Sequence, residues 1–236
     1  MDKPGVGESK GACASTDFLT ELSGYQAAFA SIAKYDFIDP NRVFVVGLSN
    51  GGGTSVLVHR DHPVRGYIAA SSWGRTWYEH MLELERVRLT GAGKSAGEVD
   101  SELKIFSQFY DSYLNGRMTP GAILAQHPDW KDVWYEKPDG QYGRPAAFYQ
   151  QLQALNLGAA WEKVNIPVLV MHGYADHVMS DADSRSIAEI VNRSHPGHGR
   201  YVSIERADHL LSINNKLDES VVPTMLEWIR QTLKQN

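Results

Sequence analysis

Cysteine is nearly absent. Cys13 is the only one in 236 residues, which excludes an intramolecular disulfide and a thiolate metal site. No apolar run approaches the roughly 18 residues that would read as a membrane-spanning helix. The first 20 residues do not follow the charged, apolar, then small-residue order of a secretory signal, so the reading is a cytoplasmic protein with no membrane partner. Basic runs are missing too. Lys and Arg total 23 against 28 Asp and Glu, a formal net charge of -5, which points away from nucleic acid as a partner. No Gly-x-Gly-x-x-Gly follows a strand, and there is no P-loop. The short histidine pairs His59/His62 and His195/His198 lack a carboxylate at metal-site spacing, so neither a metal nor any other cofactor is expected.

What the sequence does contain is enough apolar residue for a large core, 42%, in a length suited to one α/β domain. After a Gly- and Ser-rich opening, Leu19, Leu22, Tyr25, Phe29 and Ile32 recur at helical spacing, predicting a helix over 17–34. Val43 to Val46 is a short continuous apolar run, the pattern of a strand covered on both faces. A helix is predicted from Gly51 to about His59, and a second strand over Tyr67 to Ala70. From Trp73 to Trp161 the texture changes to helical periodicity crowded with aromatics, around 76–90, 98–115 and 146–157, with no clear strand. Strands return at Ile166–Met171 and Tyr201–Glu205, with helices over 181–193 and Val221–Leu233. This order predicts a mostly parallel sheet flanked by helices. Residues 1–72 and 162–236 form the core, and 73–161 a helical cap.

The chemistry concentrates at three strand ends. Gly47-Leu48-Ser49-Asn50-Gly51 lies between a strand and a helix, the setting in which a sharp turn presents a serine. Small neighbours two residues away let the chain pack closely there. Helix-start N–H groups face the same point, and that of Asn50 is placed to hold an oxyanion. Serine needs a base, and the base an orienting acid. Asp176 follows the strand ending at Met171, and His209 follows the strand near 201–205, both where the carboxyl ends of a parallel sheet bind ligands. Asp181 and Asp183 compete for the acid's role but read as the start of the next helix. Asp208 reads as a structural neighbour of His209.

These residues, with Asp2-Lys3-Pro4-Gly5-Val6-Gly7-Glu8-Ser9 and the loop from Gly173 to Asp176, resemble the α/β-hydrolase superfamily, in its esterase and serine-aminopeptidase-like group. The resemblance runs over essentially the whole chain. It implies an α/β-hydrolase-type fold with a helical cap, and a catalytic triad of Ser49, Asp176 and His209. The family's first strands should precede the opening octapeptide and have no counterpart here, so the chain reads as N-terminally truncated. The family's second oxyanion N–H comes from that missing region, and loss of one such donor typically costs about a hundredfold to a thousandfold in rate. The strand at 43–47 then forms an open apolar edge. Two expectations follow: self-association as a homo-oligomer, by edge pairing or exchange of the N-terminal segment, or a partial reading frame.

The leading function is hydrolysis of small carboxylic esters through an acyl-enzyme on Ser49. A second reading is an aminopeptidase-like peptide hydrolase, for which Glu79, Glu83, Glu85 or Asp111 of the cap would bind an amine. A third is a catalytically weak or inactive hydrolase fold kept as an interaction module.

Overall fold

The computed structural model describes residues 3–59 and 62–235. Asp2, the first residue of the opening octapeptide, lies outside them. The elements run α1 (Phe18–Ala30), β1 (Phe44–Leu48), α2 (Asn50–Thr54), β2 (Gly66–Ala70), α3 (Trp77–Gly91), α4 (Ala96–Tyr110), α5 (Pro120–Gln126), β3 and β4 (Gly140–Gln141 and Arg144–Pro145), α6 (Ala146–Ala154), α7 (Leu157–Glu162), β5 (Val168–Gly173), α8 (Asp181–Ser194), β6 (Gly199–Ile204), β7 and β8 (Ser212–Ile213 and Lys216–Leu217), and α9 (Val221–Lys234), with short 3-10 turns and one π-helical turn, Asp111–Asn115, between. Two compact units result. One takes Gln26–Arg75 with Leu157–Asn236, the other Met1–Tyr25 with Thr76–Asn156.

The first unit is built on a four-stranded parallel sheet in the order β1-β2-β5-β6. β2 and β5 are buried along their whole length, which is why both read as unbroken apolar runs. Alternate residues serve the two faces. Ile68, Ala70, Leu169 and Met171 pack with Trp228 of α9 and Ile204 of β6. On the other strand positions, Tyr67 meets Trp161 of α7 edge-on at 5.5 Å. β5 starts two residues later than the apolar run, because Pro167 has no N–H to give the ladder; its carbonyl still accepts from Tyr67. β1 is an edge strand, and Val46 and Leu48 on it are exposed.

The second unit is mostly helical. α3 and α4 each begin with a capping box, Thr76 with Glu79 and Ser95 with Glu98, so each helix start satisfies its own free N–H groups. The aromatic crowding resolves largely into core: Trp77 stacks on Tyr149 at 4.6 Å and Phe109 on Trp134 at 5.2 Å. A buried ion pair joins Arg144 to Glu21 at 2.5 Å, with the guanidinium 4.8 Å above the Phe148 ring. One feature departs from the sequence reading. Residues 138–145, in the stretch expected to hold no clear strand, contain the hairpin β3–β4, closed by Tyr142 and Gly143, both at positive φ. Two-residue strands are too short to show alternation. None of the helices among the described residues is long and apolar enough to cross a membrane.

Candidate active site

Because β1, β2, β5 and β6 are parallel, their carboxyl ends share one edge of the sheet, and Ser49, Asp176 and His209 all follow such ends. Ser49 sits between β1 and α2 with φ 56° and ψ -130°, a strained position for a residue with a side chain. Its N–H bonds the Ala70 carbonyl at 2.9 Å, tying the turn to β2. A Cβ at Gly47 would lie 2.2 Å from the Gly51 carbonyl oxygen, so only glycine fits at the strand side of the turn. At Gly51 a Cβ would meet open space. The expected close packing therefore does not fall on the last residue of the five-residue pattern. It falls on Gly52 and Gly53, where a Cβ would lie 2.7 Å from Ser72 Cβ and 2.6 Å from the Trp73 carbonyl. Asn50 is the first residue of α2, a position whose N–H has no acceptor within the helix.

α2 is also shorter than the sequence predicts. It ends at Thr54 and tightens into a 3-10 turn over Ser55–Leu57. Thr54 Oγ1 donates to the Asn50 carbonyl at 2.8 Å and Ser55 Oγ to that of Gly52 at 2.7 Å. Such hydroxyls compete for the carbonyls that would carry the helix on.

The residues expected as acid and base meet directly. His209 Nδ1 lies 2.9 Å from Asp176 Oδ2, with the Asp176 side chain fully buried and that of His209 19% exposed. The other carboxylate oxygen, Oδ1, accepts the N–H groups of Val178 and Met179 at 2.7 and 2.9 Å. Burial pushes the Asp176 carboxyl up. The hydrogen bonds from His209, Met179 and Val178 outweigh it, and hold the group below its ordinary value of 3.8. The rivals are occupied elsewhere. Asp181 pairs with Arg185 at 2.8 Å, and Asp183 sits in the first turn of α8 behind its cap, Ser180. Asp208 shapes the base's own turn: its Oδ1 accepts from the N–H groups of Leu210 and Ser212, each at 2.9 Å. Ser49 Oγ, by contrast, makes no hydrogen bond among the described residues, to His209 or otherwise.

A prediction follows from the sign of the Asp176 shift. A carboxyl held low in the folded state adds stability that is present above its unfolded value and lost as pH falls through the folded one. Acid melting of the wild type should therefore steepen below about pH 4 relative to Asp176→Asn, followed by circular dichroism. Parallel curves for the two proteins would remove the assignment.

Several residues hold this arrangement in ways the sequence does not show. A Cβ at Gly173 would lie 2.2 Å from the Asp208 carbonyl oxygen and 2.5 Å from that of Ala207. Glycine at this position lets the His209 segment lie against the Asp176 loop. His172 belongs to β5 and is buried beside Ser184. Ser72 donates to the Ser49 carbonyl at 2.6 Å. Ser184, one turn before the buried Ile187 and Ala188 of α8, has its partners far away in the chain. Among the described residues no group of three or more His, Cys, Asp or Glu side chains is placed to hold a metal ion.

Residues 1–215 match the family described as serine aminopeptidase, S33. No curated protein matches the chain in sequence. Among solved structures, the chain is similar to Est1E of Butyrivibrio proteoclasticus with ferulic acid bound, at 17% identity and a TM-score of 0.61, over 99% of this chain and 76% of that one. It is similar to a thermophilic esterase of Thermogutta terrifontis, at 17% identity and a TM-score of 0.55, over 98% and 78%. A monoacylglycerol lipase of Paleococcus ferrophilus is similar at 17% identity and a TM-score of 0.55, over 98% and 82%. At these identities the likeness is one of fold: a mostly parallel sheet flanked by helices, of the α/β-hydrolase type.

Proposed function

We propose that this chain, which belongs to the serine aminopeptidase S33 family of α/β hydrolases, cleaves carboxylic esters through an acyl-enzyme on Ser49. The observation that carries the reading is the buried carboxylate of Asp176 on His209 Nδ1, at the sheet edge that also bears the strained Ser49 turn. With Nδ1–H committed to Asp176, the free Nε2 of His209 is left as the base. It takes the proton of Ser49 Oγ as that oxygen attacks the acyl carbon. The Asn50 N–H holds the resulting oxyanion. His209 returns the proton to the departing alcohol, and water, activated by the same nitrogen, releases the acid from the serine ester.

Esters are favoured over peptides by the helical unit's carboxylates. An aminopeptidase needs an acid free for the substrate's ammonium. Glu79 caps α3 through Thr76, Glu83 pairs with Arg86, Glu85 with Arg88, and Asp111 accepts from Asn115. The esterase and lipase among the similar structures point to the same substrate class.

A fluorophosphonate probe and p-nitrophenyl esters test the reading. The wild type should label and turn over, and Ser49→Ala should lose labelling and about 10⁴-fold or more in rate with its melting temperature kept. Full retained activity would end the assignment. Folded wild type that does not label would favour an interaction module, and faster turnover of aminoacyl-naphthylamides than of esters would favour the peptidase.

A further inference from the structure

Behind the Ser49 turn lies a buried chain of side chains that the proposed chemistry does not use. Ser72 Oγ donates to the Ser49 carbonyl at 2.6 Å. Ser72 is itself held at both ends of its backbone by one hydroxyl: its N–H donates to Ser184 Oγ at 3.2 Å, and its carbonyl accepts from Ser184 Oγ at 2.9 Å. His172 Nδ1 lies 3.1 Å from the same oxygen. Ser72 and Ser184 are fully buried and His172 nearly so. A serine hydroxyl has one hydrogen and two lone pairs. The hydrogen of Ser184 is committed to the Ser72 carbonyl, so the Nδ1 of His172 carries a hydrogen and donates. The Ser184 oxygen is then saturated.

The carbonyl that Ser72 holds shares a planar peptide with the Asn50 N–H, and in a trans peptide the two point in opposite directions. Fixing one aims the other. Gly52 and Gly53 also donate to the Ser49 carbonyl, at 2.9 and 3.4 Å, but they belong to the five-residue helix itself and move with it. Ser72 follows β2, whose strand is buried within the sheet, and so ties the peptide to something outside the turn. We infer that Ser72, braced by Ser184 and His172, is a positioning residue that aims the Asn50 N–H at the oxyanion. The inference rests on Ser49 being the nucleophile. It adds that the brace connects the nucleophile's turn to β5, the strand that leads into the Asp176 loop.

Ser72→Ala tests this. Removing an oxyanion donor outright costs about a hundredfold to a thousandfold. Loosening its aim should cost less, about tenfold in kcat, with KM for a p-nitrophenyl ester unchanged. Affinity for a boronic acid, whose tetrahedral adduct places an oxygen at the oxyanion position, should fall in proportion to kcat/KM. Ser184→Ala should move the same quantities in the same direction, and Ser72→Cys, a weak donor of similar size, should fall between wild type and Ser72→Ala. If Ser72→Ala does not fold, the Ser72→Cys and Ser184→Ala proteins carry the test alone. Wild-type kcat and boronate affinity in these variants would overturn the inference while leaving Ser49 as nucleophile. So would a loss seen only in KM and melting temperature, the signature of a purely structural serine. A wild type that neither labels nor turns over would overturn the reading of Ser49 and this inference with it.

Discussion

Asp176→Asn is expected to lower kcat for ester hydrolysis by about 10⁴-fold, with KM within about twofold of wild type. The size comes from where the protons must go. Asp176 Oδ1 accepts two backbone N–H groups, of Val178 and Met179, and Oδ2 faces His209 Nδ1. An asparagine has one oxygen, and the two N–H groups will take it. Its amide NH₂ then faces His209 Nδ1, which must be bare to receive it. The imidazole hydrogen moves to Nε2, the atom that should accept the proton of Ser49. The fold survives, since every hydrogen bond has a counterpart, but the base is the wrong tautomer. Burst and steady-state kinetics with a p-nitrophenyl ester measure the loss. A variant within tenfold of the wild type would mean that Asp176 does not orient the base.

Gly173→Ala should be damaging twice over, to stability by about 1–3 kcal/mol and to kcat by about a hundredfold. Gly173 ends β5 opposite Ile204, and the two chains stay bonded beyond that point, Tyr174 N–H to the Ile204 carbonyl at 3.0 Å and Ala175 N–H to that of Ala207 at 2.8 Å. The added Cβ would meet two backbone carbonyls, of Ala207 and Asp208, at 2.5 and 2.2 Å. Neither can rotate away as a side chain would. The segment must withdraw by about 1 Å, and a displacement of that size at a reacting group costs about a hundredfold. His209 is the next residue along that segment. Gly51→Ala is the control: open space surrounds its Cβ position, so the melting temperature should hold or rise slightly. Equal behaviour of the two substitutions in thermal melts would show that the close approach at Gly173 is not what requires glycine.

Much of this was legible in the sequence, and what was not has a common cause. β2 and β5 announced themselves because burial on both faces leaves only apolar residues to fill them, as in Val168 to Met171; β1 gave the same apolar signal at the sheet edge, where Val46 and Leu48 are exposed and not covered as the run predicts. His172 and Gly173 were missed as strand, since their pairing with Ser203 and Ile204 is a tertiary matter that no local period encodes. Helix α1 was read to residue 34 but becomes a 3-10 turn over Ser31–Lys34. There Ser31 Oγ donates to the Ala28 carbonyl at 2.7 Å, taking an acceptor the helix would use. The placement of Ser49, Asp176 and His209 after strand ends was legible because order and spacing along the chain carry it. The supports beneath them leave none. Ser72 and Ser184 stand far apart in sequence and are ordinary serines until a fold puts them 2.9 Å apart.

The sheet order carries one more consequence, for how the site comes into being. β2 and β5 are neighbours in register, Tyr67 beside Val168, yet the chain between them includes α3 through α7. Closing so long a loop costs more entropy than closing a short one, and contacts that distant in sequence form slowly. Asp176 and His209 stand on one side of that junction, joined by the short β5–α8–β6 crossover. Ser49 stands on the other, in the β1–β2 half. A chain still folding can thus hold Asp176 and His209 together while Ser49 is elsewhere, and the proposed triad is complete only when the seam between β2 and β5 has closed.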